Sequence, residues 1–284
     1  MIGNKFAEFV DIVKRLRKEC PWDKEQTNDS IKSATIEEAY EVVEAIDHKN
    51  FNELKKELGD LLLHVIFHTT IAEESNHFRL DDVIDSIQEK LIRRHPHVFG
   101  DIANAGQVVE VTGADHVKKN WETIKLKEGR NSVVDGVPKN LPALQRAHRL
   151  QDKASKVGFD WEKKEDVWKK VIEEIEEMHE IEKVKSQRAC PELDSGSKIK
   201  NEEELQNQLE NEIGDVFFAL VNYSRFLRVN PEYALRKTNE KFIKRFNYVE
   251  KKIAESGKKL TESNLKEMDE FWEESKKDSS LHSE

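Results

Sequence analysis

Two acidic segments hold the residues best placed to do chemistry: Glu173-Glu174-Ile175-Glu176-Glu177 and Glu212-Ile213-Gly214-Asp215. On a helix, residues three apart share a face. Glu174 and Glu177 therefore project together from one helix, and Glu212 and Asp215 from another. If the two helices pack side by side, these carboxylates converge and repel one another unless a cation neutralises them. An all-oxygen donor set suits hard ions such as Mg²⁺, Mn²⁺ or Ca²⁺.

The pattern occurs a second time, earlier in the chain. Glu37-Glu38-Ala39-Tyr40-Glu41 is followed by Glu57-Leu58-Gly59-Asp60. Lys90 and Arg94 are four apart, as are Lys241 and Arg245; the same holds for Trp121 with Lys125 and Trp272 with Lys276. Lys90 to Trp121 and Lys241 to Trp272 both span 31 positions. This is the signature of two copies of one helical module. The copies differ in one interval: Glu41 to Glu57 is 16 positions and Glu177 to Glu212 is 35. The extra 19 positions centre on Gln187–Lys200, where they form a longer loop, lengthen both helices or cover the site.

The 284 residues have room for two ordinary domains, and 37% charged against 37% hydrophobic residues with only six Pro reads as helix-rich and soluble. A net charge of −10 argues against a nucleic-acid backbone as the main partner, though a metal-bound nucleotide stays compatible. Cys20 and Cys190 form no disulfide framework or metal-ligand spacing, which suggests free thiols in a reducing cytoplasm. No secretory leader is recognisable at Met1–Phe9, and the apolar run Leu61–Ile71 is too short to span a bilayer.

Hydrophobic periodicity predicts the elements that position these groups. A helix over Lys5–Lys18 is followed by a turn at Cys20–Asp23. Helices at about Ser30–Asp47 and Phe51–Glu74 carry the first acid set. In the latter, Leu54, Leu58, Leu61 and Val65 form the expected core stripe. Glu57, Asp60 and His64 lie one position earlier each time, about 100° around the helix. In the second module Leu209, Ile213, Val216 and Leu220, with Val171, Ile175 and Met178, are the expected core. A helix capped by Asp81 runs to Arg94 and ends at His95-Pro96. Further helices are expected at Ala114–Lys127, from Glu165, over Glu232–Ala254 and over Asn264–Lys277, with a frayed end after Asp278. Composition puts a first module at 1–127, a linker at 128–142 and a second module at 143–284.

The chain resembles the MazG family of nucleoside triphosphate pyrophosphohydrolases in its two-module bacterial form. The marks are Cys-Pro-Trp-Asp-Lys-Glu-Gln-Thr at 20–27, the acid motif at 37–41, Glu-Leu-Gly-Asp-Leu-Leu at 57–62 and Arg-Arg-His-Pro-His-Val-Phe at 93–99. In the second half they are Val-Gly-Phe-Asp-Trp at 157–161, the acid motifs at 173–177 and 212–215, Asn-Glu-Lys-Phe at 239–242, and Trp272 with Lys276. The resemblance implies an all-α fold of two tandem modules that dimerise into a four-helix-bundle type of assembly. It also implies hydrolysis of NTPs and dNTPs to NMP and pyrophosphate with Mg²⁺, for which Mn²⁺ is a possible substitute.

By matching motifs, Glu174, Glu177, Glu212 and Asp215 would hold the metal. Glu173 would be a further ligand or orient water. Glu173, Glu174, Lys241 and Arg245 would form the catalytic set. Lys170, Glu173, Gln208, Asp215, Lys241, Arg245, Trp272 and Lys276 would contact the nucleotide. Gln208 departs from the pattern, since a phosphate-facing Lys is expected there. The second module would be the catalytic one, with a possible second site at Glu38, Glu41, Glu57, Asp60, Lys90, Arg94, Trp121 and Lys125.

The chemistry agrees with this reading. Phosphoanhydride cleavage needs charge neutralisation and an oriented water more than a protein nucleophile. An indole face stacks on any base, so broad base specificity and a clean-up role in the nucleotide pool follow. Each feature has an ordinary reading when taken singly. An acid quartet is a solvated helix face, Lys/Arg pairs are surface ion pairs, and tryptophans are packing anchors. The repetition at a fixed offset from the apolar stripe favours a site. His64, His68, His95 and His97 are read as core-edge or turn residues. A di-iron bundle needs Glu-x-x-His on two helices, and only Glu74-Ser75-Asn76-His77 fits. The alternatives are a dimeric nucleotide-binding or regulatory protein without turnover, or a pyrophosphohydrolase narrow for a modified nucleotide or an alarmone.

Overall fold

A computed structural model describes residues 2–103, 112, 113, 117, 124, 132–188 and 202–277. The expected helix at 114–127, with Trp121 and Lys125, falls almost wholly outside the described residues. So do Cys190, most of the expected loop to Lys200 and the tail from Asp278.

The described chain is all-α, with no strand among the described residues. It divides into two compact units, 1–117 and 118–284. The first holds α1 (Ile2–Glu19), α2 (Pro21–Glu25), α3 (Lys32–Asp47), α4 (Phe51–Glu74), α5 (Leu80–Arg94) and α6 (Pro96–Ala103). The second holds α7 (Ala143–Ser155), α8 (Lys164–Arg188), α9 (Glu202–Phe226), α10 (Pro231–Glu255), a single 3₁₀ turn at Leu260–Glu262, and α11 (Leu265–Ser275).

Each unit is built on an antiparallel hairpin bearing its acid motifs, α3/α4 and α8/α9, with a third helix laid along the second arm: α1 on α4, and α7 on α9. In the first unit the α3/α4 turn is three residues, with Lys49 at φ 52° and Asn50 accepting the Glu53 amide proton at 3.2 Å to cap α4. Val13 of α1 then meets Ile31, Ile66, Phe67 and Ile71, with Phe6, Phe9, Val10 and Leu63 around them. In the second unit Val167, Val171, Leu205, Ala219, Val221, Val249 and Ile253 are buried. Asn230 and Asn264 cap α10 and α11 in the same way as Asn50 caps α4.

Several expectations are corrected. The Cys20–Asp23 turn is a short helix, because Pro21 stands at a first helical position, where its missing N–H costs nothing. Pro96 does the same: it ends α5 and also starts α6. α5 is capped by Arg79, not Asp81, and the Asp82 carboxylate accepts the Arg79 amide proton at 2.7 Å. The interval between the acid motifs is absorbed partly by helix. α8 runs eleven residues past Glu177 where α3 runs six past Glu41, and α9 starts ten before Glu212 where α4 starts six before Glu57.

The expected core stripes are only half right. Leu58 and Val65 of α4 are exposed, as are Ile213 and Leu220 of α9. α1 and α7 cover one side of these helices only, and the buried positions lie on that covered side. With Leu62 and Phe217, the uncovered residues make the same i, i+4, i+7 stripe in both units. No helix among the described residues is long and apolar enough to cross a membrane.

Candidate functional site

The hairpins bring the acid motifs together as the three-residue spacing requires. In the second unit carboxylate oxygens of Glu174, Glu177 and Glu212 lie within 4.8 Å of one another; in the first unit Glu38, Glu41 and Glu57 do the same. One member of each set is sunk into the hairpin: Glu174 is 7% exposed and Glu57 8%. Asp215 and Asp60, also expected as ligands, are exposed one turn further along and stand outside the tight sets. Their charges still reach the sites.

The electrostatics are those of acids that raise one another across each hairpin. Burial raises the Glu212 carboxyl above its ordinary value, and Glu177, Asp215 and Glu174 push it the same way. Glu38 is raised by burial first, then by Glu41 and Asp60, with His64 opposing. Glu57 is pushed up to about 7 by burial and by carboxyl–carboxyl hydrogen bonds with Glu53 and Glu41. Near Glu57 a shallow pocket of about 300 Å³ is lined by Glu41, Glu44, His48, Asn50 and Glu53. An oxygen-only cluster with raised carboxyls fits a divalent cation by its donor chemistry, since a cation relieves the repulsion that protonation otherwise relieves.

The two sites differ in what faces the second glutamate of the first acid motif, Glu174 in one unit and Glu38 in the other. In the second unit Lys170 Nζ lies 2.7 Å from both Glu174 and Glu173. Those two carboxylates hold the ammonium well above the usual lysine range. Glu173 itself is exposed and turned to Lys170. In the first unit the position matching Lys170 is Ala34, and Glu38 is faced by His64 Nε2 at 3.9 Å. His64 belongs to a chain through Thr35 to His68 and Asn28. This chain was missed from sequence. Its available signal was the register of His64, seven residues after Glu57 on the acid stripe.

The expected nucleotide contacts are placed as follows. Gln208 is half-buried on α9, one turn before Glu212. Lys241 is exposed on α10, which packs mainly on α11 and only marginally on α9. Arg245 lies over the Trp272 ring at 6.0 Å, and Phe242 packs on the same ring at 5.3 Å. Lys276 pairs with Glu273. Within one chain the basic and aromatic groups therefore form a second cluster on α10/α11, apart from the α8/α9 acids. In the first unit Lys90 is exposed on α5 and Arg94 is half-buried in its last turn.

Comparison with known proteins agrees with the doubled hairpin. Residues 26–99 and 162–250 each match the MazG nucleotide pyrophosphohydrolase domain. The chain is 41% identical over 279 residues to a Thermotoga maritima protein named nucleoside triphosphate pyrophosphohydrolase/pyrophosphatase MazG, covering 96% of each chain. It is 39% identical over 282 residues to the Escherichia coli nucleoside triphosphate pyrophosphohydrolase, covering 96% of this chain and 98% of that one. It is also 43% identical to the Bacillus subtilis protein YabN over 281 residues, 97% of this chain and 52% of YabN. Matched twice by its domain and over nearly its full length by these relatives, the chain belongs to the MazG nucleotide pyrophosphohydrolase family.

Proposed function

We propose that this protein hydrolyses nucleoside triphosphates and deoxynucleoside triphosphates to the monophosphate and pyrophosphate. The second module, 143–284, is the catalytic one, with 1–127 as its inactive or regulatory counterpart and 128–142 as linker. The observation that carries this is the Glu174/Glu177/Glu212 convergence, with oxygens within 4.8 Å, on a hairpin inside the second family match.

The residues present fit Mg²⁺, which when bound offsets phosphate charge and acidifies a water. Glu174, Glu177 and Glu212 would hold it, with Asp215 closing the set. Glu173 orients the attacking water. Lys170 offsets part of the acid charge before substrate arrives and then exchanges its pairing with Glu174 for a phosphate oxygen. Lys241, Arg245 and Lys276 take the remaining phosphate charge, and Trp272 stacks on the base. Water adds across the phosphoanhydride, its proton leaves, and the P–O bond to the pyrophosphate group breaks. Recognition through phosphates and a π-face accepts many bases, which suits clean-up of the cytoplasmic nucleotide pool.

A homodimer follows from two features. The α4 and α9 stripes are left uncovered, and the cations of α10/α11 stand apart from the acids they would serve. A second copy laid on these faces covers the stripes and completes a four-helix bundle.

Pyrophosphate release from a panel of NTPs and dNTPs with Mg²⁺ tests the reading, comparing the wild type with Glu212→Ala and Glu57→Ala. Loss with Glu212→Ala alone is expected. Equal partial loss from both would make the modules two working sites. Tight nucleotide binding with no release from any nucleotide would make the protein a binder.

A further inference from the structure

We propose that Tyr248 and Glu274 are positioning residues for the nucleotide: their hydrogen bond sets the roll of α11 on α10 and so presents Trp272 beside Arg245. This rests on the reading that Trp272 and Arg245 contact the nucleotide, and adds what holds them in place.

Two edges of α11 carry different groups. Trp272 and Lys276, four apart, share one edge. Glu267 and Glu274, seven apart, lie within about 20° of each other on a second edge. Trp272 and Glu274 are two positions apart, which is about 160° around the helix. Between the edges lies the side packed on α10, with Ser275 fully buried and Met268 and Phe271 half-buried.

Apolar contact is non-directional, so this packing alone leaves a helix free to turn about its own axis. Polar ties at an edge remove that freedom. Both acids of the second edge are tied. Lys258, just past the end of α10, donates from Nζ to Glu267 at 2.8 Å. The Tyr248 hydroxyl donates to Glu274 Oε1 at 2.7 Å, and Lys252 Nζ stands 3.7 Å from the same oxygen. A hydroxyl donating to a carboxylate is one of the stronger, directional hydrogen bonds. Lys252 Nζ also lies over the Tyr248 ring at 5.4 Å, so one cation serves both partners. The Lys258 tie sits at the root of α11, near the Asn264 cap. The Tyr248 tie sits at the other end, in the stretch that carries Trp272 and Lys276.

The sequence of α10 agrees with this. Lys241, Arg245, Tyr248 and Lys252 follow at intervals of four, three and four, so they share one face of the helix. The cations read as phosphate contacts and the latch therefore stand in one row. Arg245 lies 6.0 Å from the Trp272 ring centre, and that ring packs on Phe242 at 5.3 Å. Release of the latch lets α11 roll and carries the indole away from Arg245 while α10 stays in place.

The first module has neither partner. In the register that pairs Lys90 with Lys241 and Trp121 with Trp272, Tyr248 becomes His97 and Glu274 becomes Thr123. α5 also ends at Arg94, so His97 lies beyond the break at Pro96, whereas α10 runs unbroken from Pro231 to Glu255. The latch belongs to the module proposed as catalytic.

The test is steady-state kinetics of the full chain with ATP and Mg²⁺, arranged as a double-mutant cycle, with thermal unfolding of each variant. Tyr248→Phe removes only the hydroxyl and should raise KM for ATP about 3- to 10-fold, the value of one hydrogen bond, with kcat little changed. Glu274→Ala should do the same. Glu274→Gln keeps an acceptor for the phenol and should recover most of that loss. In a Trp272→Ala background, Tyr248→Phe should have no further effect, because the group it positions is already gone. A lower melting temperature with KM unchanged in Tyr248→Phe would make the bond a fold contact only and overturn the inference. Effects of Tyr248→Phe and Trp272→Ala that multiply in the double variant would overturn it too. In both of these cases Trp272→Ala still raises KM, and the reading of Trp272 as a base contact stands. KM unchanged in Trp272→Ala overturns that reading together with the inference.

Discussion

Lys170 Nζ lies 2.7 Å from the Glu174 carboxylate, and the matching pair in the first module is Ala34 with Glu38. The acid at this position thus has a lysine counter-ion in the second module, and in the first it faces His64 Nε2 at 3.9 Å instead. That difference separates the effects of Lys170 on cation and on nucleotide. Lys170→Met should tighten cation binding to the nucleotide-free second module, because a competing positive charge is gone. The same change should raise KM for ATP by about 10- to 100-fold, the loss expected for one charged hydrogen bond to a phosphate. Calorimetric titration with Mg²⁺ and steady-state kinetics read the two directions. Parallel weakening of both would make Lys170 a structural clamp.

The carboxyl of Glu57, pushed up to about 7 from an ordinary value of 4.5, gives the cation-free protein a specific pH dependence. Between those values the folded state keeps a proton that the unfolded chain releases. Stability contributed by this group therefore falls as pH rises through the window and levels off above about 7. Glu212 is shifted in the same direction. Thermal unfolding in a chelator between about pH 5 and about pH 8 should show this decline, and Glu57→Gln should flatten its first-module part. A divalent cation takes the proton's place, so its affinity should increase with pH over the same range. A melting temperature that climbs from pH 5 to pH 8 in chelator would contradict the carboxyl cluster.

The hairpins were legible in the sequence because two signals agree in them: acids three apart, and apolar residues at helical spacing one position later. The convergence of Glu174, Glu177 and Glu212 follows from that register. What periodicity could not give is which part of an apolar stripe finds a neighbour. Leu58 and Ile66 look alike in sequence, yet one is 50% exposed and the other 1%, because α1 lies along only one side of α4. The Arg79 cap and the restart at Pro96 turn on single backbone hydrogen bonds and one proline ring, below the resolution of a pattern. The Thr35–His64–His68 chain joins residues 29 and 33 positions apart, and only the packed hairpin puts them in contact.

The matching stripes on α4 and α9 predict a self-association face. Leu58, Leu62 and Val65 occupy the register of Ile213, Phe217 and Leu220, and all six are exposed in the chain. An uncovered stripe on the helix that also carries the acids ties assembly to the site. Phe217→Glu should shift the mass in solution, measured by light scattering, from dimer toward monomer and lower pyrophosphate release in proportion. Asn52→Ala, at an exposed position about 110° around α4 from that stripe, should change neither. A wild type that is monomeric at micromolar concentration would remove the dimer reading and require the α10/α11 cations to reach the acids within one chain.

Trp272 separates the nucleotide base from its phosphates. Its ring already packs on Phe242 and under Arg245, so removal disturbs both a stacking platform and a small core. The two roles predict different substrate dependence. Base stacking is worth about 1–3 kcal/mol, so Trp272→Ala should raise KM for nucleoside triphosphates by roughly 5- to 150-fold. Inorganic tripolyphosphate has no base, and its inhibition constant should change little if stacking is the role. If Trp272 instead positions Arg245 for the phosphates, tripolyphosphate inhibition weakens in step with nucleotide binding. Trp272→Phe keeps a ring over Phe242 and most of the packing, and should recover the greater part of the loss in the first case. The comparison is informative because both ligands carry the triphosphate that the cations of α10 would meet, and only one carries a π-face for the indole.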